Sequence, residues 1–490
     1  MFKSLEKKIL IILIVILLLG GFLRFKNLGY QSLWIDEGYT INASLAIQDH
    51  GYPLLDSGNV YKNQPLTSYI VAGSMKLFGF DPLSPWSTRV PAAFFGLLSI
   101  LLTFIFTKRL FNNDWIALTA TASIAFLPWE IAWSRQARGY TILQFFLLLS
   151  FDQFLIFIKT NKIYRFFISS ITFAFAFFAH ALALVFLPGF LFTLSVWLLT
   201  NMKKINWKYV LLIPIIFALG YFIAWPYLRD LVIYNFLDYY NKFFFDEFMI
   251  LSVLSITGFT VALFREKKLI SGTLLSSSIL FSYIIITAYG PLLHYRYLVP
   301  LLPFLVITSA YGAFTPFFAL NKITKEKISF VLWPLAFFLI GGFFFYSGIL
   351  KYTSDSILKK GSPQPDFNKA YSYILENKET GDLIISPYAH LTKIYTGDPG
   401  MLQPISLTGK PTEASLASGS NNDFYTNAPV IKTSYDLFKI TRENHGYIVI
   451  DELAGSRLGD VFGLISNHPV IREVYHSESE SGENIWVYKF

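Results

Sequence analysis

The sequence contains no cysteine. That excludes disulfides, thiolate metal sites and a cysteine nucleophile, and says little about compartment. Charge is also scarce: Asp, Glu, Lys and Arg make up 15% of the 490 residues, where a soluble domain carries about a quarter. The 7 histidines are scattered and form no ligand pattern, so a metal centre is poorly supported. There is no phosphate-cradling glycine loop, which argues against ATP-driven chemistry. Internal repeats and long low-complexity stretches are missing as well.

What is abundant is apolar. Hydrophobic residues make up 54% of the chain, with 50 Phe and 29 Tyr, and the mean hydropathy is +0.48. The apolar runs approach the length of a membrane-spanning helix, and they do not alternate with polar residues as barrel strands would. The fold class expected is therefore a polytopic α-helical membrane protein. A net charge of +8 is better explained by orientation signals than by nucleic acid, which is not an expected partner.

Basic residues from Met1 to Lys8 lead into a first apolar run, Ile9–Leu23. Leu23-Arg24-Phe25 offers no small-residue cleavage site, so this run reads as an uncleaved span. The segment 24–88 is too polar to cross and too apolar to be a free linker. Two interfacial helices are expected in it, at about Glu37–Asp49 and Pro65–Phe78. Further apolar runs fall at about 90–106, 115–131, 142–158, 166–178, 182–200, 209–224, 248–264, 269–288, 298–318 and 328–350, for about eleven spans in all.

Loop charges set the expected orientation. With the N-terminus in the cytoplasm, the loops on that side hold Lys108 and Arg109; Lys159, Lys162 and Arg165; Lys203, Lys204 and Lys208; Arg265, Lys267 and Lys268; and Lys322, Lys325 and Lys327. Each of these loops is basic, as the positive-inside rule requires. Asp36, Glu37, Asp49, Asp56, Glu130, Asp230, Asp246 and Glu247 fall on the opposite side. Residues 1–350 thus read as a transmembrane domain whose outer loop, 24–88, carries Asp36 and Glu37. From about Tyr352 polar residues become common, and 351–490 reads as an extracytoplasmic α/β domain. It is expected to hold a helix at Asp366–Asn377 and strands at 382–386, 447–451, 471–475 and 485–488.

The residues that could carry chemistry gather on that outer side. In Trp34-Ile35-Asp36-Glu37, two adjacent carboxylates follow the first span. Asp36 could act as a general base on an acceptor hydroxyl, with Glu37 orienting the acceptor or holding a divalent cation. Alternatively Asp36 is simply the N-cap of a helix starting near Glu37. In Trp133-Ser134-Arg135-Gln136-Ala137-Arg138-Gly139-Tyr140, Arg135 or Arg138 could bind phosphate, since a guanidinium matches phosphate oxygens. Basic residues on an outer loop oppose the trend of the rest of the chain, which favours that reading over interfacial anchoring. Arg296, beside Tyr295 and Tyr297, could be a second phosphate contact or an anchor. His180 could bond substrate or be structural. Lys62, with Asn63 and Gln64, lies on the same side and is equally explained as a solvated loop. Asp152 stands out near the middle of a span.

Taken in order, these stretches resemble the membrane glycosyltransferases of the GT-C fold, in the family 39 branch of protein O-mannosyltransferases and lipid A aminoarabinose transferases. The matching stretches are Leu23-Arg24-Phe25 and Ser32 to Glu37, Pro65 to Gly79, Arg89-Val90-Pro91 to Gly96, Ser134 to Tyr140, Arg296 to Pro303, and Asp366 to Ser386. The chain has Gln64-Pro65 where the family often has a double proline. The resemblance implies an inverting transfer of a hexose or pentose outside the membrane. Its donor would be a polyprenyl-phosphate sugar and its acceptor a hydroxyl on a protein, lipid or glycan of the cell envelope. It makes Asp36 the general base, with Glu37 beside it, and has the donor phosphate meet an arginine; the substrate- and phosphate-binding candidates are Arg135, Arg138, Tyr140, His180, Arg296 and Lys62. No cofactor is implied. The competing class is a transporter or flippase of lipid-linked sugar, which would place ionisable groups along a path at mid-membrane depth.

Overall fold

The computed structural model describes residues 2–201, 236–264, 269–289, 294–318, 334–335, 337–340, 342, 365–397, 400–402, 422–431, 433–479 and 482–490. The expected spans at 209–224 and 328–350 lie wholly or mostly outside these residues, as do the expected loops around Lys203, Arg265 and Lys322. The chain divides into two compact units. The first comprises Met1–Leu23, Phe95–Ile131 and Tyr140–Leu350; the second comprises Arg24–Phe94, Ala132–Gly139 and Lys351–Phe490.

The first unit is helical. Among the described residues, six helices are long and apolar enough to cross a membrane: Lys7–Phe25, Trp86–Phe111, Tyr140–Thr160, Ala181–Thr200, Ile270–Ala288 and Tyr295–Phe318. A bent pair, Leu237–Phe244 and Phe248–Phe264, makes a seventh if it is one span. The run expected at 115–131 is broken. A helix, Asp114–Phe126, ends at Leu127, which is extended because Pro128 follows it, and a separate short helix spans Pro128–Trp133. The helices Tyr140–Thr160 and Ile163–Ala179 are joined by reciprocal bonds between Ser150 and Ser169, the kind of small polar contact that replaces hydrophobic drive in lipid. Asp152 is not an isolated acid. It is ion-paired with Arg109 and accepts from Gln153, so the charge is matched within the unit.

The second unit is built around a five-stranded sheet of order β2-β1-β3-β5-β4, with β1 Leu383–Ser386, β2 Met401–Leu402, β3 Gly446–Asp451, β4 Arg472–Glu478 and β5 Asn484–Lys489. β1, β2 and β3 run parallel, and β5 lies antiparallel between β3 and β4. All six residues of β3 are buried, as a central strand covered on both faces should be. The helix Phe367–Asn377 begins where expected, with Asp366 capping the Lys369 amide.

Residues from 24–94 share the core around this sheet, and Ala43, Leu55 and Tyr61 form a small cluster beside it. The same stretch supplies α1 (Ile35–His50) and α2 (Pro65–Phe78). Leu33, Ile41, Val71 and Met75 share one buried cluster with Tyr371, Ile385, Leu391 and Ile448. Because β2 lies on one side of β1 and β3 on the other, the carboxyl ends of β1 and β3 flank a topological switch point, the usual place for a site in an open α/β sheet. The segment leaving β1 enters α3 (Ala389–Thr396), and α3 packs on α1.

Candidate active site

The local chemistry of α1 explains where its acids sit. Trp34 is extended and Glu37 lies in the first turn, where its carboxylate reaches back to accept from the Trp34 N–H at 2.9 Å. This is half of a capping box, and both acids favour the positive end of the helix. The helix starts at Ile35, so Asp36 is inside it and is not its N-cap.

The two carboxylates have different surroundings. Glu37 is fully buried. Oε1 accepts from Arg89 Nε at 2.8 Å and from the Ala137 N–H at 2.7 Å; Oε2 accepts from Arg89 Nη2 at 2.8 Å and from Trp34. Arg89, also buried, donates onward to the carbonyls of Leu28, Gln31 and Ser32. This fork-to-fork pair ties three stretches of chain together, and with both oxygens engaged Glu37 has no open face for a cation shared with Asp36. The Asp36 side chain is 21% exposed.

The turn at 134–139 lies across the start of α1. Trp133 meets Trp34 edge to face at 5.7 Å. Arg138 donates to the Asp36 carbonyl at 2.9 Å and to Thr40 Oγ1 at 3.0 Å, bonds the Tyr61 hydroxyl, and comes within 3.8 Å of the Asp36 carboxylate. Its side chain is 8% exposed. Arg135 points elsewhere and donates to the carbonyls of Lys26 at 2.6 Å and Asn27 at 3.2 Å. Gln64, in left-handed conformation with φ +54°, accepts from the Gly139 N–H at 3.2 Å just before Pro65 opens α2. Lys62 is exposed.

A set of side chains without a sequence motif completes the surroundings of Asp36. Tyr39 stacks on His390 at 4.0 Å and lies 4.3 Å from Tyr425, which is 6.3 Å from Tyr61. Burial raises the Tyr39 hydroxyl well above its usual pKa, and the neighbouring Tyr425, Asp36 and Asp423 add to this. Burial likewise pushes Tyr425 up to about 12 and raises Tyr61, where Arg138 works against the shift. These phenols are neutral donors at neutral pH. Burial lowers the His390 pKa, against the pull of its bond to the Ile35 carbonyl and of Asp423 and Asp36. Tyr39, Tyr61, His390 and Tyr425 are spread over the chain from 39 to 425. The one local signal that could have found them is the aromatic richness of Tyr388-Ala389-His390 and Phe424-Tyr425.

The remaining candidates belong to the first unit. Tyr140 is buried and packs on His180, ring centroids 4.9 Å apart. His180 Nδ1 accepts from the Leu182 N–H at 3.1 Å, so it caps the 3-10 helix Ala181–Phe186. His294 does the same for the 3-10 helix Tyr295–Leu301 through the Arg296 N–H at 3.1 Å. Arg296 is buried, with its guanidinium 5.4 Å from the Tyr297 ring.

Comparisons with known proteins agree with this architecture. The family described as dolichyl-phosphate-mannose-protein mannosyltransferase matches residues 62–226. No curated protein sequence matches the chain. Among solved structures, apo ArnT from Cupriavidus metallidurans superposes with a TM-score of 0.62 at 12% identity, covering 99% of this chain and 98% of that one. The same protein bound to undecaprenyl phosphate gives a TM-score of 0.59 at 12% identity, with 98% of each chain covered. The Archaeoglobus fulgidus oligosaccharyltransferase tethered to an acceptor peptide gives 0.58 at 14% identity, over 90% of this chain and 69% of that one. At these identities the likeness is one of fold. The chain is a multi-pass membrane protein with the GT-C fold and a C-terminal sheet, and it resembles ArnT and the O-mannosyltransferases.

Proposed function

We propose that this GT-C-fold membrane protein is a glycosyltransferase that moves a sugar from a polyprenyl-phosphate donor to a hydroxyl on a protein, lipid or glycan. Asp36 is the general base and the anomeric centre inverts. The observation that carries this reading is the asymmetry of the acidic pair: Glu37 is sealed by protein donors while Asp36 keeps a partly exposed side chain within 3.8 Å of Arg138. In the reaction, Asp36 takes the acceptor's proton as the hydroxyl oxygen attacks the anomeric carbon. The bond from that carbon to the phosphate oxygen breaks, and the phosphate leaves with the electron pair.

Arg138 is better suited to orienting the base than to meeting the leaving phosphate. A displacement needs base and leaving group on opposite faces of the reacting carbon, and Arg138 bonds the Asp36 carbonyl itself. The donor phosphate then falls to another cation. An apolar cavity of about 550 Å³ in the first unit, lined by residues including Phe192, Phe244, Ile256 and Leu280, suits an isoprenoid chain. In this reading the N-terminus is cytoplasmic, and the catalytic loop 24–88 and residues 351–490 are extracytoplasmic. A transport role draws little support from Asp152, whose charge is paired with Arg109.

The test uses the purified chain in nanodiscs, a panel of radiolabelled undecaprenyl-phosphate hexoses and pentoses, and a cell-envelope extract as acceptor. A glycosyltransferase consumes one of these donors and leaves labelled product. Movement of labelled lipid across a vesicle with no product formed supports transport instead.

A further inference from the structure

We infer that His390 is a positioning residue for Asp36, holding the first turn of α1 by donating its Nε2–H to the Ile35 carbonyl while its ring is wedged against Gly38 and Tyr39. This rests on the assignment of Asp36 as base and adds a residue from the C-terminal segment to the machinery. The geometry is specific. His390 Nε2 lies 3.0 Å from the Ile35 oxygen. A carbonyl oxygen can only accept, so Nε2 carries the proton. That carbonyl belongs to the peptide group entering Asp36. The peptide group leaving it is held by Arg138, which donates to the Asp36 carbonyl at 2.9 Å. Both peptide groups flanking the Asp36 Cα are thus fixed by side chains from distant parts of the chain.

The ring has little freedom to let go. Its face is stacked on Tyr39 at 4.0 Å with 22° between the planes. On its other contact, a Cβ added to Gly38 would stand 2.6 Å from His390 Cδ2, so only glycine leaves room for the imidazole there. The main chain is pinned as well, since Asn42 Nδ2 donates to the His390 carbonyl at 3.0 Å and to the Gly38 carbonyl at 2.9 Å. The charged and titratable groups facing the ring are Asp36, Asp423, Tyr39, Tyr425 and Tyr388. Burial favours the neutral ring. A carboxylate displaced by about 1 Å from its working position loses about a hundredfold in rate, so a loosened first turn would cost turnover before it cost donor binding.

The experiment compares His390→Phe, which keeps the stack and removes the donor, with His390→Gln, whose amide nitrogen can reach the same carbonyl. Gly38→Ala crowds the ring, and the Leu391 side chain 2.7 Å from the same added Cβ, without changing either residue. Transfer is measured with whichever undecaprenyl-phosphate sugar the parent consumes. Hydrogen exchange over residues 35–42 is measured on the same proteins without substrate. His390→Phe should lower kcat about tenfold to a hundredfold with donor KM unchanged and speed exchange over 35–42. His390→Gln should restore both, and Gly38→Ala should reproduce the loss. Unchanged kcat in His390→Phe, a loss confined to KM, or a loss that His390→Gln does not restore would overturn the inference. Should His390→Phe fail to fold, Gly38→Ala and His390→Gln decide it. If the parent consumes no donor, the functional reading fails, and the exchange data alone then decide whether His390 holds the turn. If Asp36→Asn transfers normally, the base assignment fails and His390 has nothing to position.

Discussion

Replacing Glu37 by Gln removes one negative charge from a place water does not reach. The Arg89 guanidinium, 1% exposed, would be left with an uncompensated charge. The new amide would also turn its NH₂ toward donors, because both oxygens of Glu37 now accept: Oε1 from Arg89 and Ala137, Oε2 from Arg89 and Trp34. Breaking a buried pair by removing one partner costs about 3–5 kcal/mol. For a unit of this size that corresponds to a fall in apparent Tm of about 10 °C. The assay is thermal unfolding of the detergent-purified protein, followed by tryptophan fluorescence, since Trp34 and Trp133 sit against each other at the pair. The double variant Glu37→Met/Arg89→Met leaves no buried charge and should recover part of the loss. It should stay below the parent, because the carbonyls of Leu28, Gln31 and Ser32 lose their donor. An unchanged Tm in Glu37→Gln, or a double variant less stable than the sum of the two single ones, would refute the clamp.

Three other outcomes follow from the geometry. Gln64→Pro should destabilise by about 3 kcal/mol or more, because proline is locked near φ −65° and residue 64 stands at φ +54°; Gln64→Asn, which tolerates that conformation, should cost less, and a thermal shift series reads both. Arg138→Lys should lower turnover about tenfold and leave donor KM alone, since the guanidinium holds Asp36 and Thr40; a rise confined to donor KM would move Arg138 to the phosphate. Asp451 gives the pH dependence: burial raises its pKa to about 6, so the folded chain binds this proton more tightly than the unfolded one. Its contribution is fully present below the unfolded value near 4 and is lost as pH rises through about 6, a change of about 3 kcal/mol. Asp451→Asn, which can still cap the Ala454 amide, should flatten that part of a stability–pH curve.

What could be read from the sequence was local or periodic. Pro65 opened its helix, the helix expected at Asp366–Asn377 formed at Phe367–Asn377, and the run Tyr447 to Asp451 proved a buried strand. Asp36 and Glu37 were visible as a pair because they are adjacent, and Arg138 because it broke the charge trend. Their division of labour was not legible. It depends on Arg89, 52 positions from Glu37, and on the amide of Ala137, which has no side-chain signature. The same holds for His390, 355 positions from the carbonyl it bonds. Arg135 and Arg138 look alike in sequence, and only the fold sends one to the carbonyls of Lys26 and Asn27 and the other to Asp36. The break at Leu127–Pro128 was available in principle, because the proline constrains the residue before it, yet the apolar run continued through it.

Everything proposed for the site turns on Asp36 carrying the proton transfer of a sugar transfer. The direct measurement is the single-turnover rate of Asp36→Asn against the parent, with one polyprenyl-phosphate sugar at saturating concentration in nanodiscs. Asparagine keeps the shape and removes the base. The expected rate is at least about a hundredfold lower, with donor affinity unchanged and the fold intact by thermal shift. Transfer by Asp36→Asn at the parent's rate would contradict the assignment.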